Sequence, residues 1–174
     1  MESLNVKHNK IGDKYGNAYE LVGRITEGYG PTLVWKVTKA KNLHQNQLFI
    51  NDFNNGTVGW TDWNILLDEN GGPNHKGNFC FAPIHPDMNT GELIYTPSYY
   101  YIGHFSKFIR PDAKRISTAS SRSNLLSTTF KNPDGSIVTI VMNSTTDTIK
   151  YNLIVDKEKT IVEIPAHAIQ TLVY

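Results

Sequence analysis

Cysteine is almost absent: Cys80 is the only one in 174 residues. A single thiol forms no intramolecular disulfide, and a zinc centre would have to rely on His and carboxylates. Cys80 reads as a small buried apolar side chain. Net charge is scarce too, because 17 Lys+Arg against 16 Asp+Glu leave +1. That balance gives no electrostatic footprint for nucleic acid or an anionic membrane. No apolar run reaches about 18 residues, so no segment reads as a bilayer span. The opening Met1–Gly16 is polar and lacks an apolar signal core, so the expectation is a non-secreted, cytoplasmic product or a piece separated from its natural N-terminus. The six histidines, at 8, 44, 75, 85, 104 and 167, show no metal-ligand spacing. Gly28-x-Gly30 is followed by Leu33, which fails the dinucleotide fingerprint, and no phosphate-cradling G-x-x-x-x-G-K-[ST] occurs. Neither metal nor cofactor is expected. Length excludes a complete (β/α)8 barrel, which needs about 250 residues.

What remains is a globular composition with 11% aromatics, enough for one core or two small ones. Tyr19–Glu27 and Thr32–Thr38 suit two strands around the turn Gly28–Pro31. Residues 43–55 suit a short helix ending at Asn54-Asn55-Gly56. Thr57–Leu67 is rich in β-branched and aromatic residues and reads as a buried strand. Asp68–Gly77 is a loop by composition. A helix is predicted over 97–109, with Thr96 as cap, Pro97 at the first position and a stripe of Tyr99, Ile102, Phe105 and Ile109.

From 112 onward the pattern is β. Leu125–Lys131 and Ser136–Met142 flank the turn Asn132-Pro-Asp-Gly135. Asp147–Val155 and Thr160–Ile164 flank the polar turn Asp156–Lys159, and Ala168–Tyr174 is a last strand. Close-spaced strands with no helix between them predict an antiparallel sandwich. The chain is therefore expected to be mainly β.

Chemistry concentrates at 59–81. Gly59-Trp-Thr-Asp-Trp-Asn64 places flat aromatic faces beside hydrogen-bonding groups. That pairing suits a sugar, whose C–H face is apolar and whose hydroxyls need fixed partners. The same residues also suit a tryptophan-rich core strand followed by a Gly-rich turn.

Gly59–Asn64, Asp68-Glu-Asn-Gly-Gly-Pro-Asn74, Gly77-Asn-Phe79 and Tyr99–Ile109 together resemble the glucosylceramidase-type enzymes of glycoside hydrolase family 30. The similarity runs in register from about Asn46 to Tyr174. The resemblance implies a (β/α)8 barrel carrying a β-sandwich side domain. Residues 43–111 would be the end of the barrel, with Val58–Asn64 its eighth strand. Residues 112–174 would be the sandwich, and residues 1–42 an unassigned hairpin or a remnant of strand seven. It further implies that Trp63 and Asn78 contact the sugar and that Glu27, in Ile25-Thr-Glu-Gly28, is the nucleophile. Asp62 would be structural.

Retaining hydrolysis of β-glycosides uses two carboxylates about 5–5.5 Å apart. The resemblance puts the acid/base on barrel strand four, which has no counterpart here. The expectation is an inactive piece of a β-glycosidase. A homodimer or a separate barrel polypeptide would then cover the apolar surface of the barrel end. The alternative is a non-catalytic sandwich module that binds carbohydrate or a protein.

Overall fold

The computed structural model describes residues 44–61, 64–73 and 82–174. Two helices and eight strands are defined within them: α1 (His44–Asn54), β1 (Ile84–Pro86), β2 (Leu93–Tyr95), α2 (Pro97–Ser106), β3 (Lys114–Ile116), β4 (Leu125–Lys131), β5 (Ile137–Asn143), β6 (Ile149–Val155), β7 (Glu158–Ile164) and β8 (Ala168–Val173). The fold is mostly β, and every ladder between named strands is antiparallel. The two strands predicted at Tyr19–Glu27 and Thr32–Thr38 lie outside the described residues.

The sandwich is built on a four-stranded sheet in the order β3-β4-β5-β8. Its centre is β5, whose Val138–Asn143 are all buried. Successive side chains of a strand point to opposite faces, so a central strand buried along its length needs cover on both sides. One face carries Val138, Ile140, Met142 and Ile169, packed with Phe49 and Ile50 of α1 and Tyr101 and Phe105 of α2. The other carries Leu125, Val141, Ala168 and Leu172, packed with Ile149, Val162 and Ile164 of the β6–β7 hairpin. Each fully buried aliphatic or aromatic side chain contributes about 1.5–3 kcal/mol. The sheet is thus the middle of three layers, with helices on one side and a hairpin on the other.

Local chemistry sets the turns. The β4–β5 connection is anchored by Asn132, whose Nδ2 donates to Phe108 O and Ser136 Oγ, both at 3.0 Å. Its Oδ1 accepts from Arg110 N at 3.0 Å, which ties the turn to the chain leaving α2. Gly135 turns at φ 92°, where a β-carbon would be strained. The polar turn between β6 and β7 is tighter than its sequence predicts. Asp156 at φ 53° lets Val155 pair with Glu158, so Glu158 and Lys159 belong to β7. Asp tolerates this left-handed conformation better than most residues.

Two expectations are corrected. The described residues of Thr57–Leu67 form no buried strand: Val58 is fully exposed, and the one bridge among them is Leu66 to Ile84. No other strand lies beside 57–61 among the described residues. The buried face of α2 also differs from the predicted stripe. Tyr100, Tyr101, His104 and Phe105 are buried, whereas Tyr99 is 40% exposed. The sheet presses on the 101–104–105 ridge, which turns Tyr99 outward onto Tyr95, their rings 4.6 Å apart.

Asn143 holds the far end of the sheet. It is fully buried, and its Nδ2 donates to Asp147 O at 2.7 Å and Pro165 O at 2.9 Å. Its Oδ1 accepts from Thr145 N at 2.9 Å. Buried carbonyls left without donors cost about 1–3 kcal/mol each. Asn143→Ala is expected to destabilise the chain by about 2–4 kcal/mol. Urea unfolding with an unchanged slope measures it.

Candidate active site

The strongest sequence candidates for the site lie at 59–81, and the structure describes the flanks of this segment. Trp60 is 39% exposed and rests on Phe49, with ring centroids 4.2 Å apart. Phe49 in turn stacks on Phe105 at 5.1 Å. The indole is therefore seated on the core that joins α1 and α2, with part of its face open. Glu27, Trp63 and Asn78, and Asp62 and Cys80 with them, lie outside the described residues.

Beyond Trp60 the chain makes its tight turn at Asp68–Gly72. Asp68 Oδ1 accepts from Asn70 N at 2.9 Å and Gly72 N at 2.8 Å. These backbone donors hold the exposed carboxyl below its usual range, the Gly72 bond contributing most. The sequence D-E-N-G-G favours such a turn, because an Asp side chain caps the amides that follow it.

The return of the loop is fixed by His85 and Thr96, which sequence reasoning did not single out. His85 on β1 is buried, with Nδ1 2.5 Å from Asp68 O and Nε2 2.9 Å from Ala82 N. The Thr96 hydroxyl lies 3.0 Å from Ala82 O and 3.1 Å from Pro83 O. Thr96 makes no side-chain bond to the amides of α2 that it was predicted to cap. Its hydroxyl is directed across the chain instead. The contacts of His85 span 17 residues, beyond the reach of local patterns.

No group of three or more His, Cys, Asp or Glu among the described residues could hold a metal. No helix among them is long and apolar enough to cross a membrane. Phe130 is buried, and the hydroxyls of Tyr151 and Tyr174 are bonded to Gln170 and Thr139.

Comparison with known proteins decides the family. Residues 13–109, over half of the chain, match the glycosyl hydrolase family 30 TIM-barrel domain. Residues 112–172 match the glycosyl hydrolase family 30 beta sandwich domain. The chain belongs to glycoside hydrolase family 30. It is 38% identical over 97 residues to lysosomal acid glucosylceramidase of Mus musculus, covering 55% of this chain and 19% of that protein. It is 32% identical over 143 residues to putative glucosylceramidase 4 of Caenorhabditis elegans, covering 80% and 27%. The crystal structure of SrfJ from Salmonella typhimurium superposes with a TM-score of 0.71 at 31% identity, covering 80% of this chain and 33% of that one. The endo-beta1,6-glucanase BT3312 gives the same TM-score of 0.71 at 22% identity, covering 95% and 37%, which shows the shared fold. The family 30 chain thus spans only about a fifth to a third of these relatives' lengths.

His104, on the helix of the family's barrel domain that packs on the sheet, is fully buried. Its Nδ1 lies 2.8 Å from Thr171 Oγ1, and Thr171 Oγ1 donates to His104 O at 3.2 Å. Burial pushes its pKa down to about 3. The unfolded ring titrates near 6.5. Stability from this group is therefore complete above about pH 6.5 and is lost as pH falls toward 3, because only the unfolded state takes up the proton. Between pH 7 and 5 the wild type is expected to lose about 2 kcal/mol more than His104→Gln. Denaturant titrations of both chains at the two pH values measure the difference.

Proposed function

We propose that this chain supplies part of the sugar site of a retaining β-glycosidase acting on β-glucosides such as glucosylceramide. These 174 residues have no activity on their own in this reading. The observation that carries it is the double match, barrel domain then sandwich domain, in a chain spanning 19% to 27% of the glucosylceramidases it resembles. Trp63 would stack on the glucose ring, Asn78 would hold a hydroxyl and Glu27 would be the nucleophile. The acid/base carboxylate, the other member of the pair that retention needs, would come from the rest of the barrel. That polypeptide would also cover Val58, Ile65 and Leu66, which are exposed here.

One feature favours a second reading. The hairpin layer is two strands wide over a sheet of four. It leaves a trough of about 600 Å³ lined by Ser127, Thr129, Thr139, Tyr151 and Leu153. A non-catalytic sandwich would take a carbohydrate there through its hydroxyls.

A panel of fluorogenic β-glycosides tests the first reading. The purified chain is expected to show no turnover. Adding the barrel polypeptide of a relative in the family is expected to produce turnover that Glu27→Gln abolishes. Turnover by the 174 residues alone would overturn it. Chemical-shift titration with a β-glucoside separates the readings, since the first moves amides near Trp60 and the second moves those of Ser127, Thr129 and Thr139.

A further inference from the structure

Two Asn-Gly pairs occur in the sequence, Asn55-Gly56 and Asn70-Gly71. In such a pair the glycine nitrogen has no side chain beside it and can approach the asparagine side-chain carbon. The fold treats the two pairs differently. Asn55 and Gly56 are both exposed, at the end of α1. Gly56 stands at φ 99°, and nothing among the described residues lies within 4 Å of the place a β-carbon would take. Its N–H donates to Phe53 O at 3.2 Å and that of Thr57 to Asp52 O at 3.0 Å, the paired bonds of a Schellman helix end. Asn70 is exposed too, but the nitrogen that would attack it belongs to Gly71, which is buried. Gly71 N donates to Asp68 O at 2.9 Å, and the amides on either side, of Asn70 and Gly72, donate to Asp68 Oδ1.

We propose that Asn55 is a site of spontaneous deamidation in the folded chain, and that the Asp68 turn shields Asn70 from the same reaction. The step needs only water. The Gly56 nitrogen gives up its proton to solvent and attacks Cγ of Asn55. The new N–C bond closes a five-membered succinimide, and the Cγ–Nδ2 bond breaks as ammonia leaves with a proton from solvent. Water then opens the ring at either carbonyl, leaving aspartate or isoaspartate at position 55. One water is consumed and one ammonia released, and nothing is oxidised or reduced.

The product changes the end of α1 in three ways. Asn55 Nδ2 donates to Asn51 O at 2.8 Å, and that bond is lost with the ammonia. Either product puts a carboxylate at the C-terminal end of the helix, where the macrodipole is negative. Isoaspartate also routes the chain through Cγ, one carbon longer, which takes Thr57 N out of register with Asp52 O. The body of α1 is held independently, by Asn54 Nδ2 on Ser127 O at 2.9 Å and by Phe49 and Ile50 in the core. The effect therefore falls on the link that carries Trp60 to its seat on Phe49.

The test incubates the 174-residue chain in mildly alkaline buffer. Peptide mapping by mass spectrometry then reads Asn, Asp and isoaspartate at positions 55 and 70. In the folded chain, conversion of Asn55 is expected to run about tenfold or more ahead of Asn70, because a helix end opens far more readily than a buried, pinned turn. In concentrated urea the two rates are expected to converge, since without the fold both are Asn-Gly pairs in an open chain. Asp68→Ala, which removes the carboxylate anchor of the turn, is expected to raise conversion at Asn70 and leave Asn55 unchanged. In the isoaspartate form, exchange protection of the Thr57 amide is expected to fall while that of Ile50 stays. Equal conversion in the folded chain, or faster conversion at Asn70, would overturn the proposal. So would a difference between the sites that persists unchanged in urea. The wild-type comparison decides the matter even where Asp68→Ala fails to fold.

Discussion

The structure depends on one constraint, that a central strand buried along its length must be covered on both faces. β5 runs Ile-Val-Thr-Ile-Val-Met-Asn: Val138, Ile140 and Met142 make one face wholly apolar, and on the other Thr139 and Asn143 are buried with their polar groups hydrogen-bonded. The hairpin β6–β7 covers one side, and on the other side the cover comes from α1 and α2. Those helices lie in the part of the chain that matches the family's barrel domain. The boundary between the two family domains is therefore crossed by a shared core. Phe49, Tyr101 and Phe105 have their apolar partners on the sheet. Asn132 ties the β4–β5 turn to the backbone of Phe108 and Arg110.

This anchoring gives Trp60 a defined seat. Trp60 rests on Phe49, which is itself fixed between α1, α2 and the sheet. Further along, the Asp68 turn and the contacts of His85 and Thr96 set where the next loop begins and ends. The sheet orders the helices, and the helices seat the indole. The hierarchy runs from packing to polar positioning, as expected for a site held by a rigid scaffold.

Much of this was legible in the sequence, in ways that differ by element. The strands from Leu125 to Val173 were readable because alternation and turn chemistry agree there; Asn132-Pro-Asp-Gly135 marks a turn whatever surrounds it. Residues 57–67 read as a strand on composition, yet the described ones among them form no ladder. Strand propensity is realised only with a neighbour, and a pattern cannot show whether one is present. On α2 the helix was evident but its buried face was not, since three successive tyrosines leave the choice to tertiary packing. Asp68 could have been found from the glycines that follow it. His85 could not, because the carbonyl of Asp68 that it meets lies 17 residues away in the chain. The resemblance carried by Gly59–Asn64 and Tyr99–Ile109 led to the family, whereas charge, cysteine and histidine spacing contributed mainly exclusions.

The central claim is that helices and sandwich form one cooperative unit through the two-faced sheet. Native-state hydrogen exchange across a denaturant series tests it most directly. Amides of Phe53 in α1, Phe105 in α2, Ile140 in β5 and Leu172 in β8 should share a single opening free energy that falls with one slope. Helices that open well before β5 and β8, on a shallower slope, would contradict the claim. The barrel-derived segment would then be an appendage to a sandwich that stands by itself.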